Sequence, residues 1–552
     1  MSHVNEKTRS AVTRLVAVVM VAMALLLTGT AHAAVPGISA SAGGSSTFNL
    51  VANQGYISQP DGAQIYSWGY GCATSSATFV PYITAAFCPT MQVPGPTMIV
   101  TQGTPFTVTL TNNLPQGAGN TSIVFQGATV TATGGTPGLL AQEATPGAAG
   151  AVTYTVTYPN PGTHAFYSGT QADLQIEMGM YGAVVVLPSG VPSVLSTGGT
   201  GPSGANCSPL HSDIGQGLGI GNPGNEFRLA VAAYNHPEAC YDREYLTQWM
   251  ELDAHIHKQA ENQVQAIANC TAAVGCPTAL DVKTEPYHPS YFMINGRSMP
   301  DNMDPSYAPN YPNQPYNANP HMHPGDMVLI RVVGQGHWQH PFHEHGNHVR
   351  ILARDGNLIV SQNDTVSPPR LAGRMEFNTD TTPGQAFDGI FYWSGKGLGW
   401  DIYGHSTLYA AATQPCYPDA NGYYTKNSSP AAGPTTPNYY EWCADHNHPL
   451  ETNPVGEMPK GGPATQFDPL VATNGLWYNG TPYLGPDAVG RNRGNTPLPV
   501  GSASQNPFAE SGIAFMWHSH NEREITTNDV FPGGMLQMML VDPPVWYIDE
   551  TL

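Results

Sequence analysis

The sequence predicts an all-β fold, and three observations carry that prediction. Glycine (60) and proline (50) are abundant, and charged residues make up only 11% of the 552-residue chain. Long amphipathic helices need tracts rich in Lys, Glu and Ala, and such tracts are scarce here. Between the Gly/Pro punctuation run short segments that alternate apolar and polar residues, the two-residue period of a strand with one buried face. This punctuation between short strands favours an all-β architecture.

Residues 1–33 read as an export signal: Lys7, Arg9 and Arg14 give a basic start, Leu15 to Leu27 is a 13-residue apolar run, and Ala31-His32-Ala33 is an A-x-A cleavage site. That run is shorter than the ~20 residues of a membrane span. The mature chain is therefore expected outside the cytoplasm (periplasm, cell surface or medium) without a membrane span. Residues 34–63, rich in Gly, Ser and Ala, are expected to be a flexible lead-in.

The first domain is placed at 64–188. Thr97 to Val100, Phe106 to Thr111, Val152 to Tyr158 and Tyr181 to Leu187 read as strands, with turns at Asn112–Pro115 and Pro159–Gly162. Residues 189–285 form a bridging segment, or alternatively a third, irregular domain. It holds predicted strands at Phe227 to Tyr234 and Arg243 to Leu252 and one helix at 254–268, with His255 and His257 read as surface residues. The second domain is placed at 286–545. Its strands are Tyr291 to Ile294, Met327 to Val333, Val349 to Ala353, Ile513 to Trp517 and Met535 to Val541, with turns at Asn295-Gly296 and Asp355-Gly356. Residues 404–510 are too long and polar for a simple connection and read as an insertion, a lid or an assembly surface.

The net charge of −20 excludes a nucleic-acid partner, because no basic patch meets phosphates. The eight cysteines suit an oxidising compartment, and nearest-neighbour pairing gives Cys72–Cys88, Cys207–Cys240, Cys270–Cys276 and Cys416–Cys443. None lies beside a histidine cluster.

Two clusters concentrate the histidines. Gln339 to His348 holds His340, His343, His345 and His348, and Trp517-His518-Ser519-His520 answers it near the C-terminus. On a strand, residues i and i+2 share a face, so His343 and His345 point one way, as do His518 and His520. Imidazole pairs so held suit Zn, Cu, Fe or Ni. His348 joins them if a bulge shifts the register. Glu344 and Glu522 are candidates to orient the rings. His321-Met322-His323 and His446-Asn447-His448 are further, weaker surface candidates.

Several stretches together resemble the multicopper oxidases, proteins built of cupredoxin β-sandwich domains. They are Val93-Pro-Gly-Pro-Thr-Met-Ile-Val100, Val108 to Pro115, Met178-Gly179 with Tyr181 to Val186, His340-Pro-Phe-His-Glu-His-Gly346, and His518-Ser-His520 with Gly533-Gly534-Met535. Asp242 to Asp253 with Asn295-Gly296-Arg297 is similar to exported bacterial metal and manganese oxidases of that superfamily. The resemblance implies two cupredoxin-like Greek-key β-sandwich domains, the second carrying the large irregular insertion, together with copper and oxidoreductase chemistry.

The departures reduce what it implies. A cysteine that binds the blue copper is replaced by Ser519, and that copper's second histidine by Glu524, leaving His340 alone. In the first domain, Val124-Phe125-Gln126-Gly127 and Phe166-Tyr167-Ser168-Gly169 stand where the family has histidine pairs. Of the eight histidines of a trinuclear cluster, His343, His345, His518 and His520 remain. One copper is expected rather than three, with His340 and His348 as further candidate ligands. Two functions follow. One is an exported copper oxidoreductase acting on a small molecule or a metal ion. The other is a non-catalytic metal-binding or assembly protein, which could be a homo-oligomer.

Overall fold

The computed structural model describes residues 35–39, 47–73, 77–80, 86–189, 232–236, 239–271, 275–322, 326–363, 365, 367–393, 512–541 and 548, with isolated short strands at 199–200, 206–207, 423–424, 441–442 and 481–483. The export signal, most of the 404–510 insertion, the Phe227 start of a predicted strand, His323, His446, His448 and the Cys416–Cys443 pair lie outside them.

The protein is mostly β-sheet. Its first sandwich packs a five-stranded sheet on a six-stranded one. The five-stranded sheet contains β1 (Thr47–Ser58), β2 (Gln64–Cys72), β4 (Phe106–Asn112), β5 (Thr129–Gly134) and β6 (Gly147–Thr157). The other sheet is centred on β3 (Met98–Thr101), β7 (Gly162–Tyr167) and β8 (Tyr181–Leu187). β4 alternates buried and half-buried residues along its whole length. β1 corrects the expected lead-in. Although its stretch is Gly/Ser/Ala-rich at the start, Phe48, Leu50 and Ala52 share one face and enter the core, and β1 pairs with both β2 and β4.

The bridging segment joins both halves. β9 (Arg243–Leu252) is buried at all ten positions. Tyr245 and Trp249 face the second core, while Leu246, Met250 and Leu252 pack with first-sandwich residues such as Ile99, Val185 and Tyr181. Because both faces are covered, its polar residues Arg243, Glu244, Gln248 and Glu251 are buried along with its apolar ones. The helix α1 (Ala254–Ala268) is capped by Asp253, whose carboxylate accepts from the His255 amide, and it lays Ile256 and Ala260 on the first core. His255 is exposed, but His257 is buried, held by the carbonyls of Tyr66 and Glu177, and so is not a surface residue.

In the second sandwich one sheet runs β10 (Tyr291–Ile294), β9, β11 (Met327–Gly334), β15 (Ala386–Tyr392) and β13 (Val349–Arg354). The facing sheet carries β12 (His340–Glu344), β14 (Asn378–Thr381), β16 (Gly512–Ser519) and β17 (Leu536–Val541). Both predicted Asx-Gly turns form with positive φ, at Asn295-Gly296 and Asp355-Gly356. Between the sandwiches, Arg331 of β11 pairs with Glu244 at 2.8 Å, and Asp388 of β15 accepts from the Thr163 hydroxyl at 2.5 Å. Disulfides join Cys72 to Cys88 and Cys270 to Cys276, as nearest-neighbour pairing predicts, and Cys240 is disulfide-bonded too. Among the described residues no helix is long and apolar enough to cross a membrane.

Candidate metal centre

The two histidine clusters meet. β12 and β16 are antiparallel neighbours with Phe342 opposite Ser519, His343 opposite His518 and Glu344 opposite Trp517. Strand alternation therefore puts His343 and His518 on one face and Phe342, Glu344, Trp517 and Ser519 on the other. The chain leaves β12 through Gly346, whose φ of +101° and close approach to Phe515 leave no room for a side chain. A hydrogen bond from the His345 amide to the Met516 carbonyl keeps His345 beside the pair.

His343, His345 and His518 each offer a ring nitrogen, and these atoms lie within 4.8 Å of one another. The Nε2 atoms of His345 and His518 are 3.4 Å apart. Three points so spaced lie within roughly 2.8 Å of a common centre, against metal–imidazole bonds of about 2.0–2.1 Å. Two of the rings are oriented from behind. His343 Nδ1–H donates to the Phe377 carbonyl at 2.7 Å, and His518 Nδ1–H donates to the Ser519 carbonyl at 2.6 Å. Each bond fixes the tautomer that turns an Nε2 lone pair inward. Burial, reinforced by the neighbouring imidazoles, lowers His345 to about 3, and burial lowers His518 as well. His345 and His518 are thereby neutral at pH 7, and the three converging ring nitrogens fit a metal ion that accepts imidazole nitrogen.

The other candidates fall elsewhere. His520 lies beside the three, 4.8 Å ring to ring from His343, but is 43% exposed and turns Nδ1 to Glu522 at 3.0 Å. His348 is half-buried with its ring edge-on to Phe377 at 4.9 Å, outside the cluster, because the 346–348 turn carries it past the strand. Glu344 orients no imidazole. It points to the opposite face, buried, with neither carboxyl oxygen hydrogen-bonded, and burial raises its pKa well above the usual carboxylate range. His321 is buried in a short strand rather than placed on the surface.

His340 lies on the other face, among carboxylates. It shares the inner face with Phe342, and both its nitrogens are engaged by carboxylates: Nδ1 lies 2.9 Å from Glu524 Oε2 and Nε2 lies 2.9 Å from Glu251 Oε2. All three side chains are fully buried. Ser519 Oγ donates to Glu524 Oε2 at 2.5 Å, and Asn521 Nδ2 donates to Glu524 Oε1 at 2.8 Å. Glu251 Oε1 accepts from the His337 and Trp338 amides at 2.7 and 2.9 Å. Burial alone would depress His340, yet the bonds to Glu251 and Glu524 outweigh it and raise the imidazole to about 9. Both of its nitrogens are thus turned to carboxylates and away from the other imidazoles.

Sequence reasoning missed Glu251 and Phe377. Glu251 lies 89 residues before His340, and the Phe377 carbonyl acts through its backbone, which no residue type announces. In the first sandwich, Gly169 lies against Val124, while Gln126 and Tyr167 lie against Gly384, so this group offers no imidazole. His164 is buried away from the cluster, its ring 4.4 Å from that of Tyr158, and burial lowers it to about 4.

Residues 82–190 match the family model described as multicopper oxidase. No curated protein matches the chain. Among solved structures, it is similar to the multicopper oxidase mgLAC, with 13% identity over 91% of this chain and 87% of that one and a TM-score of 0.42. It is similar to a blue copper oxidase from Nitrosomonas europaea at 13% identity, over 89% of this chain and 85% of that one, with a TM-score of 0.41. A copper nitrite reductase from the same organism matches at 16% identity, over 63% and 85%, with a TM-score of 0.36.

Proposed function

We propose that this chain, of which residues 82–190 match the multicopper-oxidase family model, is an exported copper-dependent oxidoreductase with a reduced site: one copper on His343, His345 and His518, and no thiolate-bound blue copper. The observation that carries the reading is the convergence of three imidazole nitrogens within 4.8 Å, two of the rings oriented by carbonyls. When bound, copper supplies a one-electron redox couple with a coordination position left open to substrate. The protein's own part is to hold the three nitrogens, to keep His345 and His518 unprotonated by burial, and to place His520 and Glu522 at the exposed rim. The substrate is a small molecule or a metal ion able to reach that rim.

A scaffold that binds metal without turnover is the competing reading. It is favoured by Val124, Gln126, Tyr167 and Gly169, which leave the first sandwich without partner imidazoles in those two stretches. Copper content, absorption spectrum and oxidase turnover decide between them. The expected result is one copper per chain, no intense thiolate band, and turnover abolished by His343→Ala. Three or four coppers per chain would sink the reduced site. One copper without turnover would favour the scaffold.

A further inference from the structure

We propose that Glu251, His340 and Glu524 form a positioning element for the metal centre, acting through Ser519. This inference rests on His343, His345 and His518 holding copper. The array is continuous. Glu251 sits on β9, which is wedged between both sandwiches and buried at every position, so it is a fixed anchor. Its carboxylate is held by two backbone amides on one oxygen and by His340 on the other. His340 passes the constraint to Glu524, and Glu524 takes the Ser519 hydroxyl.

Ser519 is the pivot. Its side chain is gripped on the inner face, while its carbonyl accepts the His518 Nδ1 proton at 2.6 Å. The orientation of the Ser519 peptide therefore sets the His518 ring, and with it the Nε2 that lies 3.4 Å from His345 Nε2. The Ser519 amide is tied to the Met535 carbonyl and the His520 amide to the Pro341 carbonyl, so the hairpin has little freedom beyond this pivot. Geometry also indicates the charge state. Each ring nitrogen of His340 faces a carboxylate oxygen, and a neutral imidazole would leave one lone pair opposed to another. Buried ionic arrays are a poor source of net stability. A role in fixing the geometry of a neighbouring site explains why such an array stands in this core.

The test uses the full chain and copper(II) as the probe, with thermal unfolding run alongside. Ser519→Ala removes the hydroxyl and keeps the carbonyl, Ser519→Thr restores the hydroxyl, and His340→Gln reaches only one carboxylate at a time. The expected result is a 10- to 100-fold loss of copper affinity in Ser519→Ala and His340→Gln. Their copper(II) electron-paramagnetic-resonance spectra should change, and Ser519→Thr should retain both affinity and spectrum. If His340→Gln fails to fold, the Ala/Thr pair at 519 carries the test. Wild-type affinity and spectrum in folded Ser519→Ala would overturn the positioning role alone. Wild-type protein that binds no copper would overturn the metal centre and the positioning role with it.

Discussion

On the two faces of the β12–β16 pair, imidazoles a few residues apart sit in opposite states. Outward, His343, His345 and His518 face one another, and burial with mutual repulsion keeps His345 and His518 neutral. Inward, His340 faces two carboxylates and is held as the cation. The residue type is the same and the burial is similar. The partners decide, and they decide whether an imidazole offers a lone pair or a proton.

The comparison breaks most sharply through stability. Removing one member of a fully buried charged array strands the others, at a cost of about 3–5 kcal/mol. Glu524→Ala should lose that much in urea denaturation of the metal-free protein. A loss below about 1 kcal/mol would mean that water replaces the carboxylate and that the inner face is not the dry, charged array described.

Next in size is the pH dependence, where the two faces should have opposite signs. His340 is raised from 6.5 to about 9, so its contribution, at most roughly 3 kcal/mol, is complete below pH 6.5 and fades as pH rises through 9. Glu251 and Glu524 face it directly, with Tyr287 and Glu177 beyond Glu251. His345, lowered to about 3, contributes stability that is complete above pH 6.5 and is lost as pH falls toward 3. Wild-type protein should therefore lose stability on both sides of neutrality, and His340→Gln should flatten the alkaline limb alone. An alkaline limb unchanged in that variant would remove the cation from the inner face.

How much of this was legible in the residues follows the same division. The outer histidines were legible because His-x-His on a strand is a local pattern: spacing singles out His343, His345, His518 and His520, while the expectation that the two pairs meet came from the family resemblance. The all-β fold, the helix at 254–268 and the Asx-Gly turns were local too. The inner array was not, because Glu251 reaches His340 across 89 residues and only folding joins them. That Ser519 and Glu524 stand where the resembling family has a cysteine and a histidine could be read from the sequence, but the array they form with His340 could not. β1 was hidden for a different reason: Gly and Ser near its start mask a face formed by Phe48, Leu50 and Ala52.

The smallest expected effect lies at the rim and bears on where the outer site ends. His520 is 43% exposed and its partner Glu522 68%, and an exposed pair of this kind adds about 1 kcal/mol or less. His520→Ala should change metal-free stability by about 0.5 kcal/mol or less. Its ring is 4.8 Å from that of His343, close enough to touch a bound ion's surroundings but outside the three-nitrogen group. Copper titration should therefore show less than about a tenfold loss for His520→Ala, the lower end of what groups around a metal cost, against loss of the site in His343→Ala. If His520→Ala abolishes binding as His343→Ala does, then His520 swings from Glu522 into the centre. The outer face would then hold four equivalent imidazoles, and the boundary between buried ligands and exposed rim would disappear.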